Sequence, residues 1–244
     1  GIILLFIFVF IEKRQDEPMI KLSIFKIPTM VPSLLAAFFQ AIANFAVLFL
    51  VLMYLQGPRQ LSPIHASLLL VPGYIIGSVI GPFAGRLADK VGPIIPATLG
   101  LAIQVIALFI YAHLQTDTSL WIVVVASVIN GIGSSCFFPA NSSAVMKASP
   151  PAMFGISSGM LRTFANIGMV FSFSVAILVA SRSISKHLTF AIFVGTTNLH
   201  GHLAGVFTNS LHGAFYVSMG FMLIAAILSA SRTRLIWPKL KSKT

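Results

Sequence analysis

An all-α membrane protein of six transmembrane helices is the fold class this sequence predicts, and three observations carry it. Apolar residues make up 57% of the chain and charged residues 9%. A soluble domain carries roughly 25% charged residues, so this chain lacks the polar surface to cover itself in water. Mean hydropathy is +0.96. The apolar residues also fall in continuous blocks about 20 long, the length that spans ~30 Å of hydrocarbon as a helix. A transmembrane barrel would alternate apolar and polar residues instead.

The chain opens on Gly1 and runs into ILLFIFVFI. Residues 1–11 are too few to span, and they lack the basic leader and small-residue cleavage site of a signal peptide. They read as the end of a truncated transmembrane helix, and the chain as a fragment. Residues 12–29 carry mixed charge, and Pro18 breaks any continuous helix there. This is a cytoplasmic linker with a short amphipathic piece at the membrane surface. A six-helix domain then occupies 30–231, with spans at 30–54, 66–85, 94–113, 120–140, 155–180 and 212–231. A long outer loop, 181–211, holds Arg182, Lys186, His187, His200 and His202, and its LTFAIFVG at 188–195 is too short to span. Residues 232–244, RTRLIWPKLKSKT, form a basic cytoplasmic tail near anionic lipid, with Trp237 as an interface anchor.

Charge sets the orientation. With the linker in the cytoplasm, that side collects twelve of the sixteen Lys and Arg residues, from Lys13 to Lys243. The opposite side collects three, Arg59, Arg182 and Lys186, and Arg162 is left inside a span. The positive-inside rule therefore places the C-terminus in the cytoplasm. The same rule accounts for the net charge of +11 without nucleic acid. The single cysteine, Cys136, excludes an intrachain disulfide and reads as packing.

Gly73, Gly77, Gly81 and Gly85 recur every fourth residue of the second span and share one helix face. Without side-chain bulk a neighbouring backbone approaches closely, for packing or for sliding. The stripe ends in GRLADKVG, where Arg86, Asp89 and Lys90 crowd between two apolar blocks. Gly92-Pro93 opens the next helix, with proline where its missing N–H costs nothing. Read as a short loop, the stretch pairs Arg86 with Asp89 or latches Asp89 onto a nearby helix end.

These residues resemble the loop motif of the major facilitator superfamily, G-x-L-x-D-[RK]-x-G, matched by Gly85, Leu87, Asp89, Lys90 and Gly92. The upstream run YLQGPRQLSPIHASLLLVPGYIIGSVIGPFAG and the piece EPMIKLSIFK resemble the fourteen-helix drug:proton antiporter branch of that family. SGMLRTFANIG in the fifth span is similar to that branch at Ser158, Gly159, Thr163 and Gly168. Ala165 stands where the branch commonly has arginine, and this chain's arginine is Arg162, so no family role is carried over to it. The resemblance implies a C-terminal half of six helices in two inverted three-helix repeats. It also implies a plasma-membrane carrier that exports amphiphilic small molecules, working by alternating access and gated by Gly85, Arg86, Asp89, Lys90 and Gly92.

Polar side chains inside spans are costly in lipid and mark interiors or cavities. Gln40, Asn44, Gln104, Asn130, Ser134, Arg162 and Asn166 are the substrate-cavity candidates, with Asn141 continuing the Asn130–Ser134 stripe past Pro139. For the amides the competing role is helix–helix hydrogen bonding, worth about 0.6 kcal/mol each. The competing role for Arg162 is to snorkel to the interface. The acids, Glu12, Asp16, Glu17, Asp89 and Asp117, all fall outside the spans, so a proton carrier is expected on the missing N-terminal half. No catalytic constellation, metal site or cofactor motif is predicted. His200 and His202 alone make a poor zinc site, which wants four ligands. The alternative to transport is a non-transporting membrane scaffold or receptor, which leaves Arg162 and the polar stripes without a use.

Overall fold

The structure, a computed structural model, describes residues 22–180 and 202–241. The expected helix end at 1–11, His187, His200 and LTFAIFVG lie outside the described residues. A 3-10 turn at Leu22–Lys26 leads in. Its Ile24 is buried with Met30, Leu34, Val145 and Met160, while Phe25 and Lys26 are exposed. The end of the linker is thus tucked under the bundle by one apolar side chain.

The helices are α1 (Met30–Gln56), α2 (Pro63–Leu68), α3 (Val71–Val91), α4 (Ile94–Tyr111), α5 (Leu120–Ala148), α6 (Phe154–Ala180) and α7 (His202–Lys241). Each follows from its sequence. Ser62 caps α2 by accepting from the His65 N–H at 3.4 Å, with Pro63 in the first turn. Together α2 and α3 make one membrane-length segment, Pro63–Val91. That segment, α1, α4, α5 and Phe207–Arg232 of α7 are each long and apolar enough to cross a membrane. The sixth, α6, is 27 residues long, about 40 Å at 1.5 Å per residue.

Packing reveals how the six are built. The first helix of one triplet, α1, packs against the second and third helices of the other, α6 and α7. Reciprocally, α5 packs against α3 and α4, and the two third helices, α4 and α7, touch. Each triplet therefore supplies a wedge to the other, the pattern of two related repeats. Three spans per repeat is an odd number, so the second repeat enters the bilayer from the side opposite the first, which makes the pair inverted.

Glycines set the closest approaches. A Cβ at Gly73 would collide with the Ser127 carbonyl of α5, and one at Gly131 would collide with the Gly73 carbonyl. At Gly77 it would meet Ser135 Oγ at 2.8 Å, and at Gly100 the Gly133 carbonyl at 2.5 Å. The stripe predicted on α3 packs only in its first half. Gly81 and Gly85 have nothing within 4 Å of where a Cβ would stand, so among the described residues neither serves as a packing glycine.

Three boundaries differ from the sequence reading. The helix α3 continues through Val91, so GRLADKV is helical rather than a loop; only Gly92, at φ +87°, turns the chain. With its ψ of 154°, Gly92 occupies a region essentially reserved for glycine. The helix α5 runs through Pro139 to Ala148, and α7 begins at His202 and ends at Lys241. The outer loop is therefore helical from His202 onward, and the basic tail continues the last helix. In each case a helix outruns its apolar block, because polar turns at the membrane surface stay helical while their backbone bonds remain paired.

Candidate functional site

The predicted polar residues separate into distinct clusters. Gln40 on α1 and Gln104 on α4 are fully buried and bonded to each other, Gln40 Nε2 donating to Gln104 Oε1 at 3.3 Å. They hold helices together and line neither of the two cavities described below. Asn130 Nδ2 on α5 donates to Asn44 Oδ1 on α1 at 3.1 Å. Both line a cavity of about 180 Å³ between α1, α3 and α5, together with Ser134, Gly73 and Gly77. Asn130 Oδ1 is buried there without a partner, an acceptor ready for a donor from a guest molecule or water.

A second cavity, about 270 Å³, lies between α1, α5 and α6 and is lined by Arg162, Asn141 and Ser142 beside Phe138, Pro139 and Leu161. Arg162 is exposed. Asn166, one turn beyond it on α6, is exposed and stands apart from both cavities.

Of the two expected contacts of Asp89, the pair with Arg86 is not formed. Arg86 lies over the Phe83 ring, 5.8 Å from its centroid. Asp89 instead pairs with Lys147 of α5, Nζ to Oδ1 at 3.4 Å, across the boundary between the triplets. A helical GRLADKV sets Arg86 and Asp89 on successive turns, and Lys147 sits in the last turn of α5, the helix packed against α3. The pair is exposed, 53% for Lys147 and 74% for Asp89, where such contacts contribute under about 1 kcal/mol. Asp89→Asn is therefore expected to leave the melting temperature of the purified protein almost unchanged. A large drop would show that the pair holds the fold.

Sequence reasoning missed one cluster. Arg232, assigned above to the tail, is fully buried. Its Nη1 donates to Asn141 Oδ1 at 2.7 Å and to Ser33 Oγ at 2.8 Å, and its Nε to the Ser229 carbonyl at 3.1 Å. Its Nη2 donates to Ser229 Oγ. Asn141 Nδ2 closes the ring by donating to the Ser33 carbonyl at 3.1 Å. Ser229 Oγ also meets Thr98 Oγ1 of α4 at 2.8 Å. One guanidinium thus joins α1, α5 and α7 directly and reaches α4 through a hydroxyl, at the membrane face that carries Asp89. A sequence signal for it exists. The buried positions Leu211, Ala214, Ser218, Met222, Ala225 and Ser229 step by three or four, and the next step lands on Arg232.

At the other face, Tyr54 Oη donates to the Gln115 carbonyl at 2.6 Å, Arg59 to the Thr116 carbonyl, and His212 Nε2 to the Leu114 carbonyl at 2.5 Å. These bonds fasten α1 and α7 to the α4–α5 turn.

Two interlocked triplets of membrane-length helices, with amide pairs and a guanidinium inside, define a multi-pass integral membrane protein of the repeat-built transporter class. The sequence profile of the Major Facilitator Superfamily matches residues 33–238, and the chain belongs to that family. Membership points to transport rather than to catalysis.

Among relatives, the lincomycin resistance protein LmrB of Listeria innocua is 26% identical over 91% of this chain and 47% of its own length. The riboflavin transporter RibZ of Clostridioides difficile is 28% identical over 78% of this chain and 41% of its own. The drug efflux pump JefA of Mycobacterium tuberculosis is 30% identical over 69% of this chain and 33% of its own. The chain spans about half the length, or less, of these relatives.

Proposed function

We propose that this chain is the C-terminal half of a proton-coupled exporter of amphiphilic small molecules, of the fourteen-helix branch, working by alternating access in the plasma membrane with its C-terminus in the cytoplasm. One observation carries the reading. The face of α3 at Gly81 and Gly85 has nothing within 4 Å of where a Cβ would stand, and Asp89 stands exposed one turn beyond it. A smooth face next to a charge is what a moving counterpart requires, and the rest of the transporter supplies that counterpart. The resistance and efflux names of relatives such as LmrB and JefA support the class of cargo. The described residues contain only two acids, Asp89 and Asp117, and neither is inside the bundle, so the proton carrier belongs to the other half.

The test is dye efflux from cells making the full-length protein. Efflux collapses with a protonophore, and Asp89→Asn abolishes it without loss of protein. Efflux indifferent to the proton gradient, or intact in the variant, overturns the proposal. The present chain alone, in sealed liposomes, is expected to move no substrate, and net uptake would contradict its role as half of a machine.

A further inference from the structure

We infer that the cavity between α1, α5 and α6 binds the anionic head group of an amphiphile, with Arg162 as the residue that contacts it. The inference rests on the reading of amphiphiles as cargo and names a charge class for them.

The cavity holds about 270 Å³, room for a head group and the first carbons of a tail. Its polar groups are unequal. Asn141 is already committed, its Oδ1 to Arg232 and its Nδ2 to the Ser33 carbonyl. Arg162 and Ser142 have no hydrogen-bond partner among the described residues. What remains to meet a guest is therefore a guanidinium and a hydroxyl, the fork-shaped donor that suits carboxylate and phosphate, against the apolar wall of Phe138, Pro139 and Leu161.

The field has one sign. Behind Asn141 stands the Arg232 guanidinium, whose partners among the described residues are all neutral oxygens. Of the two described acids, Asp89 is engaged with Lys147 and Asp117 lies in the α4–α5 turn at the opposite face. One cation, Arg162, lines the cavity and a second, Arg232, stands one side chain behind it, with no carboxylate among the described residues to balance them. Low-dielectric walls focus such a potential and favour an anion.

The experiment uses purified full-length protein and two fluorescent probes, dansylaminoundecanoic acid and its methyl ester. They share a tail and differ by one charge. The acid is expected to bind at least tenfold more tightly than the ester. Arg162→Gln should weaken the acid at least tenfold and the ester less than twofold, while Arg162→Lys should keep part of the difference. Equal affinities in the unaltered protein, or parallel losses in the variant, overturn the inference. So does a fall in melting temperature without any change in charge selectivity, which would assign Arg162 to an ion pair with the rest of the chain.

Competition identifies the source of the head group. Displacement of the acid by phosphatidylglycerol but not phosphatidylcholine points to membrane lipid, and indifference to both points to a free amphiphile. Binding is read without transport, so charge-selective binding in a protein that exports nothing would sink the export proposal and leave this one standing.

Discussion

Asn141→Ala is expected to destabilise the bundle by about 2–4 kcal/mol, because it removes a hydrogen bond to a buried charge and orphans a buried carbonyl. The size follows from which atoms lose partners. Removing the amide leaves Arg232 charged and buried with one strong acceptor fewer, and leaves the Ser33 carbonyl without its donor. Replacing Arg232 by methionine removes the charge together with its desolvation cost. It orphans neutral acceptors instead, at about 1–3 kcal/mol apiece. The double variant should lose less than the sum of the two single losses, because the Arg232–Asn141 bond can be broken only once. Thermal unfolding of the purified protein in detergent reads all three. Simple additivity of the two single losses would mean that the residues do not act on each other, and the clamp would have to be abandoned.

The second large effect is expected at the crossing of α3 and α5. Gly131→Ala puts a methyl group against the Gly73 carbonyl, and Gly73→Ala puts one against the Ser127 carbonyl. Both opposing atoms are backbone, so relief requires the helices to part, and overpacking of this kind costs typically 1–3 kcal/mol. Gly81→Ala, on the same stripe, meets nothing within 4 Å and should change stability by less than about 0.5 kcal/mol. A uniform response along the stripe would show that helix propensity, not contact, governs these positions. Unfolding temperatures of the three variants decide between the two.

The contrast marks what a sequence can tell. Periodicity reports that four glycines share a face, but a period carries no information on how far the opposing helix reaches, and α5 meets only Gly73 and Gly77. The apolar blocks located the six long helices because lipid imposes length and composition together. They did not locate helix ends, since a polar turn outside the lipid stays helical at no cost. Arg232 was hidden for a related reason. Within SRTR at the end of an apolar block it counts as one more basic residue on the positive side, and charge counting is blind to the direction of a side chain. The amides were legible as interior residues. Which of them would find each other, Gln40 with Gln104 and Asn44 with Asn130, depends on how α1, α4 and α5 cross.

The reciprocal wedging of the triplets has a consequence for biogenesis. Gln56 closes α1, yet the neighbours that flank α1 begin only at Phe154 and His202. As the ribosome delivers the chain, Gln40 of α1 finds its partner only when α4 emerges and Asn44 only when α5 does, and the flanks of α1 stay open until the last two helices follow. The bundle therefore matures after synthesis rather than during it, and a chain halted before α7 leaves one flank of α1 open.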